Sequence, residues 1–477
     1  PSPFCIQQTG DKIAAKKFVE SMKSESRPHC VPGFALNEND ANQLELLADN
    51  PNIDNVEAQK ISFKIAEMCK SLGKPLLVKA ADGGGGKGMR IVEEPLDTHN
   101  GRVRLSSTLL ASLASARRES AAAFGSTRIL LERYISQGRH IEIQIFGDNT
   151  GTVLHFYERE CSIQRRHQKI VEETPSVALT SSLREAMCAA AVSLGTELGY
   201  VGAGTVEFIF DDRSKEFFFL EVNARIQVEH PITEMLTGLD IVALQIGVAQ
   251  GASLSSLGVT QNNVVARGHA IEVRLNAEDW SFRPQTGLIR SMVVPPEVRV
   301  DTGVRDGSSV SVFYDSMIAK LIVHAPDRQI ALARLGDALR NTVVLGLNTN
   351  LAFLHSVLTH PVFVDGRSVS THFVANHMPT QPPSPPQHDL SFLAIGVTLL
   401  DCFERQQKRT LLKHLPAGWR ATSVNRLQRR QYSLKIGNTD TIYTRVAYLS
   451  KESNEKSLSL IARCDWPSIN QFSLQKN

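Results

Sequence analysis

The sequence predicts an α+β fold, and three observations carry that expectation. Runs of alternating apolar and polar residues recur at 141–145, 205–223 and 269–276, the period-two mark of strands with one face turned inward. Between them lie segments whose apolar residues recur every three or four positions, at 56–72 and 182–199, as in amphipathic helices. Turn-forming and linker-like stretches separate these runs, among them DDRSK at 211–215 and PTQPPSPP at 379–386.

Taken in order, residues 13–22 have helical character, with Lys12, Lys16 and Lys17 near their start. Residues 37–55 are polar and acidic, with an uncertain break. In 56–72, Ile61, Ile65, Met68 and Leu72 share a helix face. KPLLVKAADGGGGKGMRIVEE (74–94) reads as strands at 75–80 and 89–93 around a glycine loop. Gly83, Gly85 and Gly88 satisfy GxGxxG, but a strand follows where a dinucleotide fingerprint needs a helix. Gly88 follows Lys87 where a Walker A loop needs Ser or Thr. A hairpin whose free N–H groups, with Lys87, close over phosphates fits better.

THNGRVRLSSTLL (98–110) reads as an inserted surface segment before a helix at 113–124. Strands return at 128. ILLERYI carries Glu132, and RHIEIQIFGD alternates Ile141, Ile143 and Ile145 against His140, Glu142 and Gln144. The next strand region ends in Gln164, Arg165, Arg166, His167 and Lys169, a polar cluster between apolar strands that suits an anion. After the helix at 182–199 comes GTVEFIFDDRSKEFFFLEVNARIQVEHPITE (204–234). Val206, Phe208 and Phe210 oppose Glu207 in its first strand, and 217–223 is the return strand. If the extended run continues, Glu221, Asn223, Arg225, Gln227 and Glu229 share one face. Crowded carboxylates of this kind call for a cation or a ligand. A helix at 232–251, a strand at 268–279, short strands over 288–324 and a helix at 328–343 follow, then a helix at 390–412 and a strand-rich tail at 430–464.

The chain has 477 residues, enough for two to four domains, and is 42% hydrophobic and 21% charged. A formal charge of +3 without a basic tract argues against a nucleic-acid or membrane surface. Seven cysteines without CxxC spacing point to free thiols and against structural zinc. No apolar run is long enough to span a bilayer, and the opening PSPFCIQQTGDK does not read as a signal or transit peptide. Pro1 in place of Met suggests a processed or incomplete chain.

GGGGKGMRIV, RHIEIQIFGD, ERECSIQRRHQKIVEETPS, GAGTVEFIF, EVNARIQVEHPITE and GHAIEVRLNAED, in this order, resemble the ATP-grasp biotin carboxylases. The resemblance spans about residues 1–378. HLPAGWR and QRRQYSLKIG resemble the region that follows in the alpha subunits of propionyl- and methylcrotonyl-type acyl-CoA carboxylases. It implies an ATP-grasp fold with a C-terminal mixed α/β subdomain and a strand-rich tail. Residues 1–73 would begin the ATP-grasp, 74–160 form its lid and 161–255 its catalytic subdomain. Residues 256–378 would be the C-terminal subdomain, 379–389 a linker, and 390–477 part of a subunit-interaction region. The family's usual N-terminal lobe would precede residue 1, and no AMKM-like biotin-attachment sequence occurs.

The resemblance also implies roles. Lys12, Lys79, Gly85 and Gly86 would bind ATP phosphates, and Glu132, Arg133, Tyr134 and Ile135 the adenine. His140, Gln164 and His167 would line the nucleotide pocket, with Glu207 and Glu221 completing the ATP set. Glu207, Glu221 and Asn223 would hold Mg2+ or Mn2+. Lys169, Arg225, Gln227 and Val228 would bind bicarbonate, Glu229 would be the general base, and Arg274 would bind biotin and stabilise its enolate; Arg225, Glu229 and Arg274 are the catalytic set. The implied reaction is ATP- and bicarbonate-dependent carboxylation of biotin. The biotin would sit on a carrier domain, and a carboxyltransferase beta subunit would be a partner in an oligomer. The location would be the mitochondrial matrix in a eukaryote and the cytoplasm otherwise. Two alternatives stay open: another ATP-grasp ligase, or a truncated fragment that serves only carboxylase assembly.

Overall fold

The computed structural model describes residues 1–49, 55–82, 88–99, 102–166, 168–381, 396–397 and four tail strands. The chain divides at Gln381/Pro382 into two units. In the second, Gln428–Leu434, Ile442–Ser453, Ser457–Cys464 and Phe472–Gln475 pair antiparallel in sequential order. The helix expected at 390–412 falls almost wholly outside the described residues.

The first unit is built on a nine-stranded sheet. Its strands, here β1 to β9 in chain order, are His29–Cys30, Gly138–Gly147, Val153–Arg165, Gln168–Thr174, Gly202–Asp211, Glu216–Asn223, His269–Asn276, Arg299–Thr302 and Met317–Ala325. They lie side by side as β1-β6-β5-β2-β3-β4-β7-β9-β8. Every pairing is antiparallel except β1 with β6. The alternation in 205–210 is realised: Val206, Phe208 and Phe210 are buried in a core shared with Ile141, Ile143, Ile145 and the helix Ser181–Glu197. Further along, Ile271, Val273, Leu321 and Val323 pack with residues of the helices Arg328–Asn341 and Leu351–Leu358.

A second sheet joins Gly33–Ala35, Ile129–Arg133, Leu76–Ala80 and Arg90–Val92, all antiparallel. It holds the two strands expected around the glycine loop; residues 83–87 lie outside the described residues. Three helices, Glu38–Asp49, Val56–Leu72 and Ser107–Phe124, contribute to the core on this sheet.

Two expectations need correction, and a third stretch left open is resolved. The stretch at 98–110 is not a loose surface insertion. Leu96–His99 and Arg102–Leu105 pair as strands, the helix begins at Ser107, and Leu105, Leu109 and Leu110 are buried with Leu44 and Ile65. Its apolar residues were obscured by the polar ones between them. The polar segment 37–55 contains a helix, Glu38–Asp49, because Ala41, Leu44 and Leu47 fall on one buried face. The helix expected at 232–251 is two, His230–Thr237 and Ile241–Ala249, bent by 96°. Gly238 adopts φ +75°, the left-handed conformation that ends helices, and Asp240 caps the next one through Ala243 N–H. Among the described residues no single helix is long and apolar enough to cross a membrane.

One ion-pair cluster ties the sheet to its covering helices. Glu173 of β4 is buried and accepts from His269 Nε2 (2.9 Å) on β7 and from Arg328 Nε (2.6 Å) and Nη2 (3.1 Å). Arg328 also donates to the carbonyls of Phe363 and Val364. Burial pushes the Glu173 carboxyl up, but His269 and Arg328 outweigh it and bring it down from 4.5 to about 2. A group depressed in this way contributes stability that is full above its unfolded value and lost as pH falls through the folded one. Arg328→Leu is therefore expected to destabilise the first unit by about 3 kcal/mol at neutral pH. Urea unfolding at a series of pH values should show the gap to the parent narrowing as pH is lowered below 4.5 toward about 2.

Candidate active site

The polar face of the large sheet is assembled across strands. Glu207 of β5 stands opposite Glu221 of β6 on one side and Glu142 of β2 on the other, and Glu142 stands opposite Arg159 of β3. Directly opposed residues project from the same face, so a row Glu221, Glu207, Glu142, Arg159 crosses four strands. A bulge follows Glu207, so that Phe208 pairs with Phe219, a distortion common beside functional sites.

The single strand face expected to run from Glu221 to Glu229 does not exist. β6 ends at Asn223, and the chain turns before the helix at His230, for which Glu229 is the N-cap. The turn, rather than strand alternation, brings Gln227 and Glu229 back onto the polar face. Gln227 Nε2 donates to Glu207 Oε1 (2.8 Å), and Asn223 Nδ2 donates to the same oxygen (2.9 Å). Arg225 does not join them: it is exposed and donates to Ile226 O (3.0 Å). Val228 is represented by its carbonyl, which accepts from Lys320 Nζ (2.8 Å).

Lys169 sits at the centre. Its ammonium meets Glu142 Oε2 (2.5 Å), Glu229 Oε1 (2.6 Å) and Glu207 Oε1 (3.0 Å). Arg274 takes the other oxygen of Glu229 through Nη2 (3.1 Å) and holds Glu172 Oε1 through Nε (2.7 Å). Burial pushes the Glu229 carboxyl up, yet Lys169, Arg274 and Arg159 hold it well below the usual carboxylate range. Glu207 is likewise held down, against its burial, by Lys169 and His140. His140 Nε2 lies 2.8 Å from Glu207 Oε2, and its Nδ1 is 2.8 Å from Gln164 Nε2.

On the second sheet, Lys79 Nζ meets Glu132 Oε2 (2.5 Å), and Lys16 meets the other oxygen of the same carboxylate. Burial first, then the nearby Lys16 and Lys12, push the Lys79 ammonium well down. Lys12 Nζ is 3.9 Å from Glu221 Oε2, so the helix Lys12–Ser21 points two cations toward the two sheets. Arg133 lies over the Phe218 ring (5.4 Å), Tyr134 contacts His372, and Ile135 is buried with Val31 and Phe218. Gly85, Gly86 and His167 lie outside the described residues.

Sequence reasoning missed the fully buried pair Glu142 and Arg159, in which Arg159 Nε donates to Glu142 Oε1 (2.6 Å). Arg159 also reaches Gln144, Thr233, Thr205 and Gln227. The alternation of His140, Glu142 and Gln144 against three isoleucines held the signal for Glu142. It also missed Lys16 and the buried carboxyls Glu172 and Glu272.

Glu207, Glu221 and Asn223 offer two carboxylates and an amide from facing strands, the oxygen donors that a hard divalent cation takes. A second grouping, His140, Glu142 and Glu207, has its ligand atoms within 4.8 Å of one another. The first suits magnesium or manganese better, because all its donors can be oxygens.

The family model described as the carbamoyl-phosphate synthase L chain ATP-binding domain matches residues 40–257, and that of the biotin carboxylase C-terminal domain matches 272–376. The mitochondrial methylcrotonoyl-CoA carboxylase subunit alpha of Arabidopsis thaliana is 44% identical over 382 residues, 79% of this chain and 47% of that subunit. The chain thus spans about half the length of that relative. The biotin carboxylase of Nostoc sp. is 44% identical over 379 residues, 78% of this chain and 75% of that protein. Among solved structures, the biotin carboxylase domain dimer of the Hydrogenobacter thermophilus 2-oxoglutarate carboxylase, in complex with MgADP, ADP and bicarbonate, superposes with a TM-score of 0.66. It is 36% identical, with 78% of this chain and 74% of that one covered. Aligned at 44% identity along three-quarters of the Nostoc biotin carboxylase, this chain belongs to the biotin carboxylase family.

Proposed function

We propose that the chain performs the ATP- and bicarbonate-dependent carboxylation of biotin within an acyl-CoA carboxylase. The observation that carries this reading is Glu229, a buried carboxyl with one oxygen on Lys169 (2.6 Å) and the other on Arg274 (3.1 Å). Bicarbonate is an anion and needs cations around it. Lys169, Arg225, Gln227 and Val228 are the groups we assign to it. A carboxylate held so low is a weak base while both cations grip it. An arriving bicarbonate shares those cations, loosens their hold, and raises the basicity of Glu229 where the proton must be taken.

Glu229 then accepts the bicarbonate proton, and the freed oxygen attacks the γ-phosphorus of ATP as the bond to ADP breaks. The carboxyphosphate so formed splits into carbon dioxide and phosphate. The phosphate takes the ureido proton of biotin, the nitrogen attacks carbon dioxide, and Arg274 steadies the enolate oxygen. Lys12, Lys79, Gly85 and Gly86 are assigned to the ATP phosphates, residues 132–135 to the adenine, and His140, Gln164 and His167 to the pocket wall. Glu207, Glu221 and Asn223 would hold Mg2+ or Mn2+, which when bound offsets the charge of the triphosphate.

The same reading assigns 74–160 to the ATP-grasp lid, 161–255 to its catalytic part and 256–378 to the C-terminal subdomain. The matches at 40–257 and 272–376 support a boundary between the last two. Biotin would arrive on a carrier domain, and a carboxyltransferase beta subunit would pass the carboxyl group on. The tail from 390, with its four-strand sheet, would take part in that subunit assembly. The mitochondrial relative supports a matrix location in a eukaryotic host.

The direct test is bicarbonate-dependent ATP hydrolysis by the full chain, with and without free biotin. Biotin stimulation is expected. Hydrolysis that requires an amine instead would favour another ATP-grasp ligase, and a folded chain that binds no ATP would favour a purely assembling role. Glu229→Gln is expected to lower turnover on the order of 10²-fold or more while leaving ADP binding, measured by calorimetry, nearly unchanged. Loss of ADP binding would refute its role as base. Lys169→Met removes the main charge holding the Glu229 carboxyl down. Activity requires the ionised carboxylate and is lost as pH falls through its value, so the acid limb of kcat at saturating bicarbonate is expected to move to higher pH.

A further inference from the structure

Behind Arg274 lies a carboxyl group that the reaction as described does not use. Glu272 of β7 stands directly opposite Glu172 of β4, so the two side chains share one sheet face. Both residues are fully buried. Among the described residues, neither carboxyl oxygen of Glu272 has a hydrogen-bond partner, and Glu172 Oε2 has none either. Glu172 Oε1 is occupied by Arg274 Nε (2.7 Å). Two facing carboxylates, both ionised in a dry interior, would leave three oxygens unsatisfied and two like charges side by side, an arrangement that is strongly unfavourable.

One proton removes the conflict. A neutral carboxylic acid is a donor, and the free oxygen of its neighbour is an acceptor. The charged groups facing Glu272 are Glu172 across the strand pair, Lys320, Arg274 and Glu229. Burial first, and the Glu172 charge second, push the Glu272 carboxyl well above the usual range, and Lys320 and Arg274 do not bring it back.

We propose that Glu272 is a positioning residue: as a neutral acid it donates a hydrogen bond to Glu172 Oε2, which leaves the Glu172 charge to anchor Arg274. The inference deepens the biotin carboxylase reading and rests on it for the role of Arg274. With Glu272 neutral, the guanidinium is shared by two carboxylates, Glu172 and Glu229. When substrate draws Arg274 from Glu229, Glu172 keeps it oriented toward the reacting oxygen. An ionised Glu272 would be a third competitor for the same cation and would draw it back along its own strand.

Two variants of the full chain test this. Glu272→Gln keeps a donor facing Glu172, so its kcat for carboxylation of free biotin is expected to stay within about twofold of the parent. Glu272→Leu keeps the bulk but removes the donor, and is expected to lower kcat roughly tenfold with ADP affinity unchanged. Equal losses in both variants, or no loss in either, would overturn the proposal. A second measurement does not depend on turnover. The infrared difference spectrum of parent minus Glu272→Gln at neutral pH should contain the carbonyl stretch of a protonated carboxylic acid. If that band is missing, Glu272 is ionised and the proposal fails, whatever the outcome of the biotin assay. If the parent does not carboxylate biotin but the band is present, the proton assignment stands and the failure lies with the functional reading.

Discussion

The ammonium of Lys169 is the interaction on which the rest of the site depends. Three carboxylates, from β2, from β5 and from the N-terminus of the helix His230–Thr237, converge on it within 3.0 Å. None of those elements could bury its acid alone, because an isolated charge in the interior is strongly disfavoured. Lys169 in turn is held protonated, against the effect of burial, by Glu142 and Glu207. The cation and its acids therefore need one another, and the sheet face around them is a built site rather than a solvated edge. Arg159 gives the arrangement its floor. It is fully buried and donates to a carboxylate, two amide oxygens and two hydroxyls, so it fixes the strands beneath Lys169 before any ligand arrives.

A comparable economy of charge governs the second sheet. Glu132 lies between Lys16 and Lys79, and both lysines are buried. Burial pushes both lysines down, Lys16 to about 8 and Lys79 well below its usual range, so a phosphate arriving in the region assigned to it would favour their charged forms. The lysine from the strand is positioned by the lysine from the helix, through a carboxylate that sequence reasoning connected only with adenine. Its side chain is committed to the lysines, so any contact with a base would fall to the backbone of 132–135.

Much of the fold was legible because strands announce themselves through a period of two. The alternation around Ile141 and Val206 placed both strands and their buried faces correctly. Legibility ended where the backbone stopped repeating. Beyond Asn223 the period no longer applied, and the return of Glu229 to the site depends on a turn whose shape cannot be counted off. The break at Gly238 was hidden because both flanking helices are apolar, so a single hydrophobic run concealed two directions. Arg159 was hidden for a different reason. Glu158, Arg159 and Glu160 are three charges in a row, yet all are buried, each balanced by partners distant in sequence that no local pattern reveals. Residue roles drawn from the family resemblance rest on motif position; what the structure adds is which of those side chains touch.

The row that crosses the sheet from Glu221 to Arg159 also constrains how this chain can vary. Each member is placed by its pairing partner, and a shift of one residue in any strand would send its side chains to the opposite face. A deletion inside 202–211 or 138–147 would therefore move an acid into the hydrophobic core and a phenylalanine or isoleucine into the site. The turns at 148–152 and 212–215 carry no such restriction, because they hang beyond the paired residues. Length differences between related chains should gather in those turns and avoid the strands, so that a pattern of insertions becomes a record of where the chemistry is housed.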